Sequence, residues 1–193
     1  MEERCMGFLK RLFGGRFTQP PPDEPPLSDA AIMRELHPFR YELKAFTQSL
    51  LARLPEREQM RLVRRVMRLY GQGEEPSSAL TEGLLDPDKG QSLQQLVLVA
   101  MDWKGFDSFK YLAPYLTKAC GIPELYPYEQ REGSTVVQVL AEFDEWLTKF
   151  GNRYLHLNTG GDEYVGFIVD ADRVDIMIAM AREAGIEARL EAF

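Results

Sequence analysis

Apolar positions along the chain change period several times, and each change marks an element. Phe39, Leu43, Phe46, Leu50 and Leu54, then Met60, Val63, Met67 and Tyr70, recur at helical spacing. They predict two amphipathic helices, the second opening at Pro55 and stopping before Gly71. A short helix capped by Ser28 or Asp29 precedes them, ended by His37-Pro38, and another over Ser77–Leu85 follows. Leu96-Val97-Leu98-Val99 is a continuous apolar run and predicts a strand buried on both faces. Helical spacing returns at Phe106, Phe109, Leu112 and Leu116, with Asp107 placed as a cap and Pro114 as a kink or break. It returns again at Val136, Leu140, Phe143, Leu147 and Phe150, closed by Gly151.

The last third alternates instead. Leu155 and Leu157 point one way and Tyr154, His156 and Asn158 the other. After the turn Thr159-Gly160-Gly161-Asp162, a second arm runs from Tyr164 to Val169, so the segment reads as a β-hairpin. A helix striped by Val174, Met177, Ile178 and Ala181 follows, and then a strand with Ile186, Ala188, Leu190 and Ala192 inward.

From Leu96 onward the order strand, helices, strand, strand, helix, strand predicts an α+β fold. It matches a ferredoxin-like, split βαβ sheet of four strands with additional N-terminal helices. In that topology the first and third strands are central and parallel, and the second and fourth lie at the edges. Asp102-Trp103-Lys104, Arg153 and Asp170 are then expected at one end of the sheet. Asn158, Thr159, Asp162 and Glu163 fall at the other, about 17 Å away, too far to share one reaction.

Composition adds a domain plan. With 193 residues, 45% hydrophobic and 27% charged, the chain is long enough for a sizeable core. Residues 1–27 read as a basic amphipathic tail followed by a proline-rich linker, expected to be disordered, and 28–193 as a single domain. Within that domain, 28–90 is the helical part and 91–193 the sheet part. Leu9, Leu12 and Phe13 form one face of the tail, which reads more readily as a disordered or partner-docking peptide than as a weak membrane-surface contact and buries too little for stable anchoring. No apolar stretch reaches the roughly 18 residues of a membrane span, and no signal peptide is evident, so a cytoplasmic protein is expected. Two cysteines fit a reducing compartment.

The net charge of −7 is unevenly distributed. Residues 1–75 carry 13 Lys/Arg against 11 Asp/Glu, whereas 76–193 carry 10 against 19, a net −9. Such a surface repels nucleic acid and favours a basic protein partner.

Candidate chemistry is sparse. Asp102, Lys104 and Asp107 beside Trp103 suit a charged pocket with an aromatic wall, against the plainer reading of a strand-end ion pair, a helix cap and a core tryptophan. His156, Asp162 and Glu163 are weaker candidates. The two carboxylates are sequence neighbours on a strand and point apart, and a histidine packed under the N-terminal helices accounts for His156. Arg57, Arg61, Arg64, Arg65 and Arg68 form a basic helix face, able to hold phosphates or an acidic partner, or to be a solvated or ion-paired face. No catalytic set, no metal site and no cofactor motif is found.

Asp102-Trp103-Lys104 after an apolar strand, and Thr159-Gly160-Gly161-Asp162 leading into Tyr164 and an apolar strand, resemble DUF6630, an uncharacterised bacterial domain family. The resemblance covers Val99–Phe193. It implies a bacterial cytoplasmic protein and supplies no reaction. The function expected is binding or regulation through an acidic surface and a sheet edge, an immunity-type role being one concrete version. The alternative is a small-molecule sensor or enzyme with its pocket at Asp102, Trp103 and Lys104.

Overall fold

The computed structural model describes residues 35–128 and 133–193. The expected tail and linker, with Leu9, Leu12 and Phe13, lie outside the described residues, as does all but the end of the first short helix. His37–Phe193 form one compact unit. Its elements are α1 (Arg40–Leu50), α2 (Glu56–Gly71), α3 (Pro76–Leu85), β1 (Leu98–Met101), α4 (Phe106–Ala119), α5 (Val136–Leu147), β2 (Asn152–Asn158), β3 (Tyr164–Asp170), α6 (Val174–Glu183) and β4 (Glu187–Arg189).

Local chemistry explains most of these boundaries. α5 opens on a capping box in which Thr135 Oγ1 accepts from the Gln138 amide at 3.2 Å and Gln138 Oε1 accepts from the Thr135 amide at 2.9 Å. Gly151, at φ +69°, ends the turn that follows. Two expectations for α4 are corrected. The helix continues through Pro114, and its first turn is preceded by Gly105 with no side-chain cap, so Asp107 does not cap it.

The sheet is four-stranded in the order β1-β3-β2-β4, with every neighbouring pair antiparallel. The fold is therefore α+β, but its strand order is not that of the expected ferredoxin-like sheet. β1 is an edge strand antiparallel to β3, and β2 is central, with β4 on its far side. The misplacement has a physical cause: apolarity on both faces marks a central strand only where helices leave an edge strand's face open.

Here helices cover both faces. Leu98, Leu155, Leu157, Val165, Phe167 and Val169 pack with α1, α2, α3 and α6. On the opposite face Val99, Met101, Tyr154 and Ile168 pack with α4 and α5. Tyr154 and His156, read from the alternation as the non-core face, are 0% and 3% exposed. Tyrosine and histidine bring enough apolar body to lie under a helix.

The outer edge of β1 is occupied by a side chain. Gln91 Oε1 accepts from the amides of Val97 at 2.8 Å and Leu98 at 3.1 Å, and its Nε2 donates to the Leu98 carbonyl. The amide of Gln91 thus substitutes for a neighbouring strand and blunts an edge open to pairing with another chain. Between β2 and β3, Gly166 makes room for Tyr154: a Cβ there would fall 2.5 Å from both Cζ and Oη of that ring.

Candidate functional site

Because β1 and β3 are antiparallel, Met101 pairs with Tyr164, and the end of β1 meets the hairpin turn. Asp102-Trp103-Lys104 and Asp162-Glu163 therefore share one end of the sheet. This overturns the expectation that a strand length separates them. Trp103, Asp162 and Glu163 line a depression of about 560 Å³ with Asn158, Thr159, Tyr164 and Phe193, whereas Asp102 and Lys104 are not among its lining residues.

Local bonds hold both sides of this depression. Asp102 Oδ1 accepts from the Lys104 amide at 2.9 Å, which tightens the turn after β1. Gly105 closes that turn, where a Cβ would lie 2.8 Å from Met101 Cβ and 2.9 Å from the Asp102 carbonyl oxygen. Across the depression, Asn158 Oδ1 accepts from the Gly160 amide at 3.0 Å, and its Nδ2 donates to Glu187 at 3.0 Å. Gly160, at φ +73°, supplies the left-handed residue that the turn requires.

Trp103 does not pack into the core; it is 63% exposed, and the Lys104 ammonium lies 4.2 Å from its ring centroid. Asp162 and Glu163 are exposed and form no ion pair among the described residues. Asp107 is exposed in the first turn of α4 and does not line the depression. What the arrangement offers is an exposed aromatic face beside unpaired carboxylates. None of the described residues lining it is a histidine, serine or cysteine.

The other expected residues lie elsewhere. Arg153 and Asp170, placed by the sequence with Asp102, are at the opposite end of the sheet. Arg153 makes a two-pronged ion pair with Asp144, Nε to Oδ1 at 3.0 Å and Nη2 to Oδ2 at 2.7 Å, and Asp144 Oδ1 also accepts from the Tyr154 amide at 2.6 Å. Asp170 pairs with Arg53. Asp144 was not singled out by the sequence, since nothing marks it among the polar residues of α5. His156 packs on the α5 face of the sheet, not under the N-terminal helices, with its ring 4.9 Å from Tyr154. Burial pushes its imidazole down to about 4. It borders a second cavity of about 330 Å³ with Asp144, Arg153 and Glu191.

The basic helix face is an open groove of about 900 Å³ along α2. Arg61 pairs with Glu58, holding that carboxyl below the usual carboxylate range, and donates to the Lys89 and Gly90 carbonyls, both at 2.6 Å. Arg65 pairs with Asp86 at 2.5 Å and donates to the Gly83 carbonyl at 3.1 Å. Cys120, at the C-terminal end of α4, borders a space of about 30 Å³, room for one water, and burial raises its thiol.

Among the described residues no group of three or more His, Cys, Asp or Glu is placed to hold a metal ion, and no helix is long and apolar enough to cross a membrane. A family model described as a domain of unknown function (DUF6630) matches residues 33–191. The match takes in the helices before Val99 as well as the sheet. No curated protein and no solved structure matches the chain.

Proposed function

The chain belongs to the DUF6630 family, whose description names no reaction, and we propose that it works by binding: the depression at the hairpin end of the sheet receives a basic segment of a protein partner. One observation carries this reading. Trp103, 63% exposed, stands beside Asp162 and Glu163, which no described cation neutralises. An exposed indole face with carboxylates at its side is the chemistry that recognises lysine and arginine. Lys104, 4.2 Å from the ring centroid, makes the contact that a partner's basic side chain makes there. The net −9 of residues 76–193 steers such a partner toward this half of the chain. Neutralisation of a basic toxin, an immunity-type role, is a concrete form of this function.

A labelled peptide rich in Lys and Arg, titrated into the intact protein and followed by anisotropy, tests the proposal. Cation–π contact of about 1–2 kcal/mol corresponds to roughly tenfold in affinity. Trp103→Ala, and separately the pair Asp162→Asn with Glu163→Gln, are each expected to weaken binding by about that factor. Equal affinity for wild type and both variants refutes the proposal. The volume of the depression, about 560 Å³, favours a second reading, a small cationic ligand, because small-molecule sites span roughly 300–1,000 Å³. A thermal-shift screen of organic cations tests it, and stabilisation that survives Trp103→Ala excludes it.

A further inference from the structure

The groove along α2 carries charge of the opposite sign and takes a different ligand. Among the described residues six cationic side chains line it: Arg57, Arg61, Arg64, Arg65, Arg68 and Lys89. Arg61 and Arg65 are committed, since they hold Glu58, Asp86 and the carbonyls of Gly83, Lys89 and Gly90. That commitment fixes the turn after α3 as the groove's second wall, with Lys89 on it. Arg57, Arg64, Arg68 and Lys89 are exposed and make no ion pair with any described residue.

Glu58 and Asp86 offset only part of this charge, since Arg61 and Arg65 already hold them; the remaining like charges repel one another, so an anion that bridges them is stabilised. Arg57, Arg64 and Arg68 stand on one side of α2 at spacings of seven and four residues, spanning about 16 Å at 1.5 Å per residue. One phosphate or carboxylate spans only a fraction of that length. The ligand is therefore an extended polyanion.

The walls decide which kind. Among the described residues lining the groove only Pro55 and Met60 are apolar, and none is aromatic. A peptide interface gains most of its affinity from buried apolar and aromatic anchors, which have no seat here. A single-stranded nucleic acid relies on aromatic side chains for its bases to stack on, and a duplex meets a body of net charge −7. Guanidinium forks, in contrast, match phosphate oxygens in pairs. We propose that the groove binds a linear chain of phosphate groups, whether free inorganic polyphosphate or the phosphate chain of a nucleotide, reading the phosphates and not what they are attached to.

Calorimetric titration of the intact protein with inorganic tripolyphosphate tests this. Saturable binding is expected, at least tenfold tighter than orthophosphate, and weakened at least tenfold by the pair Arg64→Gln with Arg68→Gln and by Lys89→Gln. All three residues are exposed and make no described ion pair, so these variants should melt with the wild type, which separates lost binding from lost folding. A nucleoside triphosphate of equal affinity supports recognition of the phosphates alone, and one that binds tenfold tighter than tripolyphosphate overturns it. The proposal is also overturned if tripolyphosphate binds the variants as it binds wild type, or no better than orthophosphate. An oligoglutamate peptide or a single-stranded oligonucleotide of matched charge binding as tightly as tripolyphosphate overturns it as well.

Discussion

Gly166→Ala is expected to destabilise the fold although it adds a single methyl group. The new Cβ would lie 2.5 Å from Cζ and Oη of Tyr154 and 2.6 Å from Cε1, well inside van der Waals contact. The ring has nowhere to retreat. Tyr154 is 0% exposed, with Phe143 at 5.8 Å and His156 at 4.9 Å between ring centroids. Relief requires the hairpin strands to part or the ring to push α5 outward, and overpacking of this kind costs about 1–3 kcal/mol. That is a substantial share of the roughly 5–15 kcal/mol that holds a domain folded. Urea unfolding monitored by circular dichroism measures the loss as a lower midpoint at constant slope.

A double-mutant cycle makes the cause specific. Tyr154→Leu alone loses buried ring contacts, but in the Gly166→Ala background it also removes the clash. The two changes together should therefore cost less than the sum of their separate costs. Removing only the hydroxyl, by Tyr154→Phe, should relieve little, because Cζ and Cε1 remain in place. A Gly166→Ala protein within about 0.5 kcal/mol of wild type, or strict additivity with Tyr154→Leu, would refute the reasoning.

Two further outcomes follow from other parts of the sheet. His156 has its folded-state value lowered by burial to about 4 from 6.5, so the unfolded chain takes up the proton first as pH falls. The stability contributed by the neutral, buried ring is complete above pH 6.5, declines between 6.5 and 4, and amounts to about 3 kcal/mol at 1.36 kcal/mol per pH unit; His156→Leu should flatten this part of the urea-midpoint profile, and an unchanged profile would remove His156 as its source. Gln91→Ala strips the outer edge of β1 of three hydrogen bonds, and amide exchange at Val97 and Leu98 is expected to accelerate while the amides of β2 keep their protection. Unchanged exchange at those two positions would show that the side chain does not guard the edge.

How far the sequence foretold the structure depended on what each signal measures. Period alone located the helices and the hairpin, because a 3.6-residue or two-residue repeat is imposed by the backbone and needs no knowledge of neighbours. It could not rank β1 and β2 in the sheet, because helices bury both faces of both strands and Tyr154 and His156 resemble surface residues in an alternation count. Period says nothing of strand direction either, and taking β1 and β3 as parallel placed Asp162 and Glu163 a strand length from Trp103, where the antiparallel pairing brings them together. The exposure of Trp103 was likewise illegible, since a tryptophan after an apolar strand is as consistent with the core as with solvent. The arginine stripe was plain from spacing, whereas the distinction between its committed and uncommitted members required the positions of Asp86 and of the 83–90 turn.

The pairing of Met101 with Tyr164 has a thermodynamic side. The two walls of the Trp103 depression come from distant parts of the chain and are joined through a strand of only four residues. Detaching that strand would separate the walls while leaving the β2–β3 hairpin and its helices intact, so the proposed binding surface would have an opening equilibrium of its own, distinct from global unfolding. A partner that touches both walls must favour the closed form, and part of its affinity goes into keeping β1 docked. Occupancy of the depression would then be readable at a distance, as slower amide exchange along β1 at Leu98 and Val99, residues that line none of it.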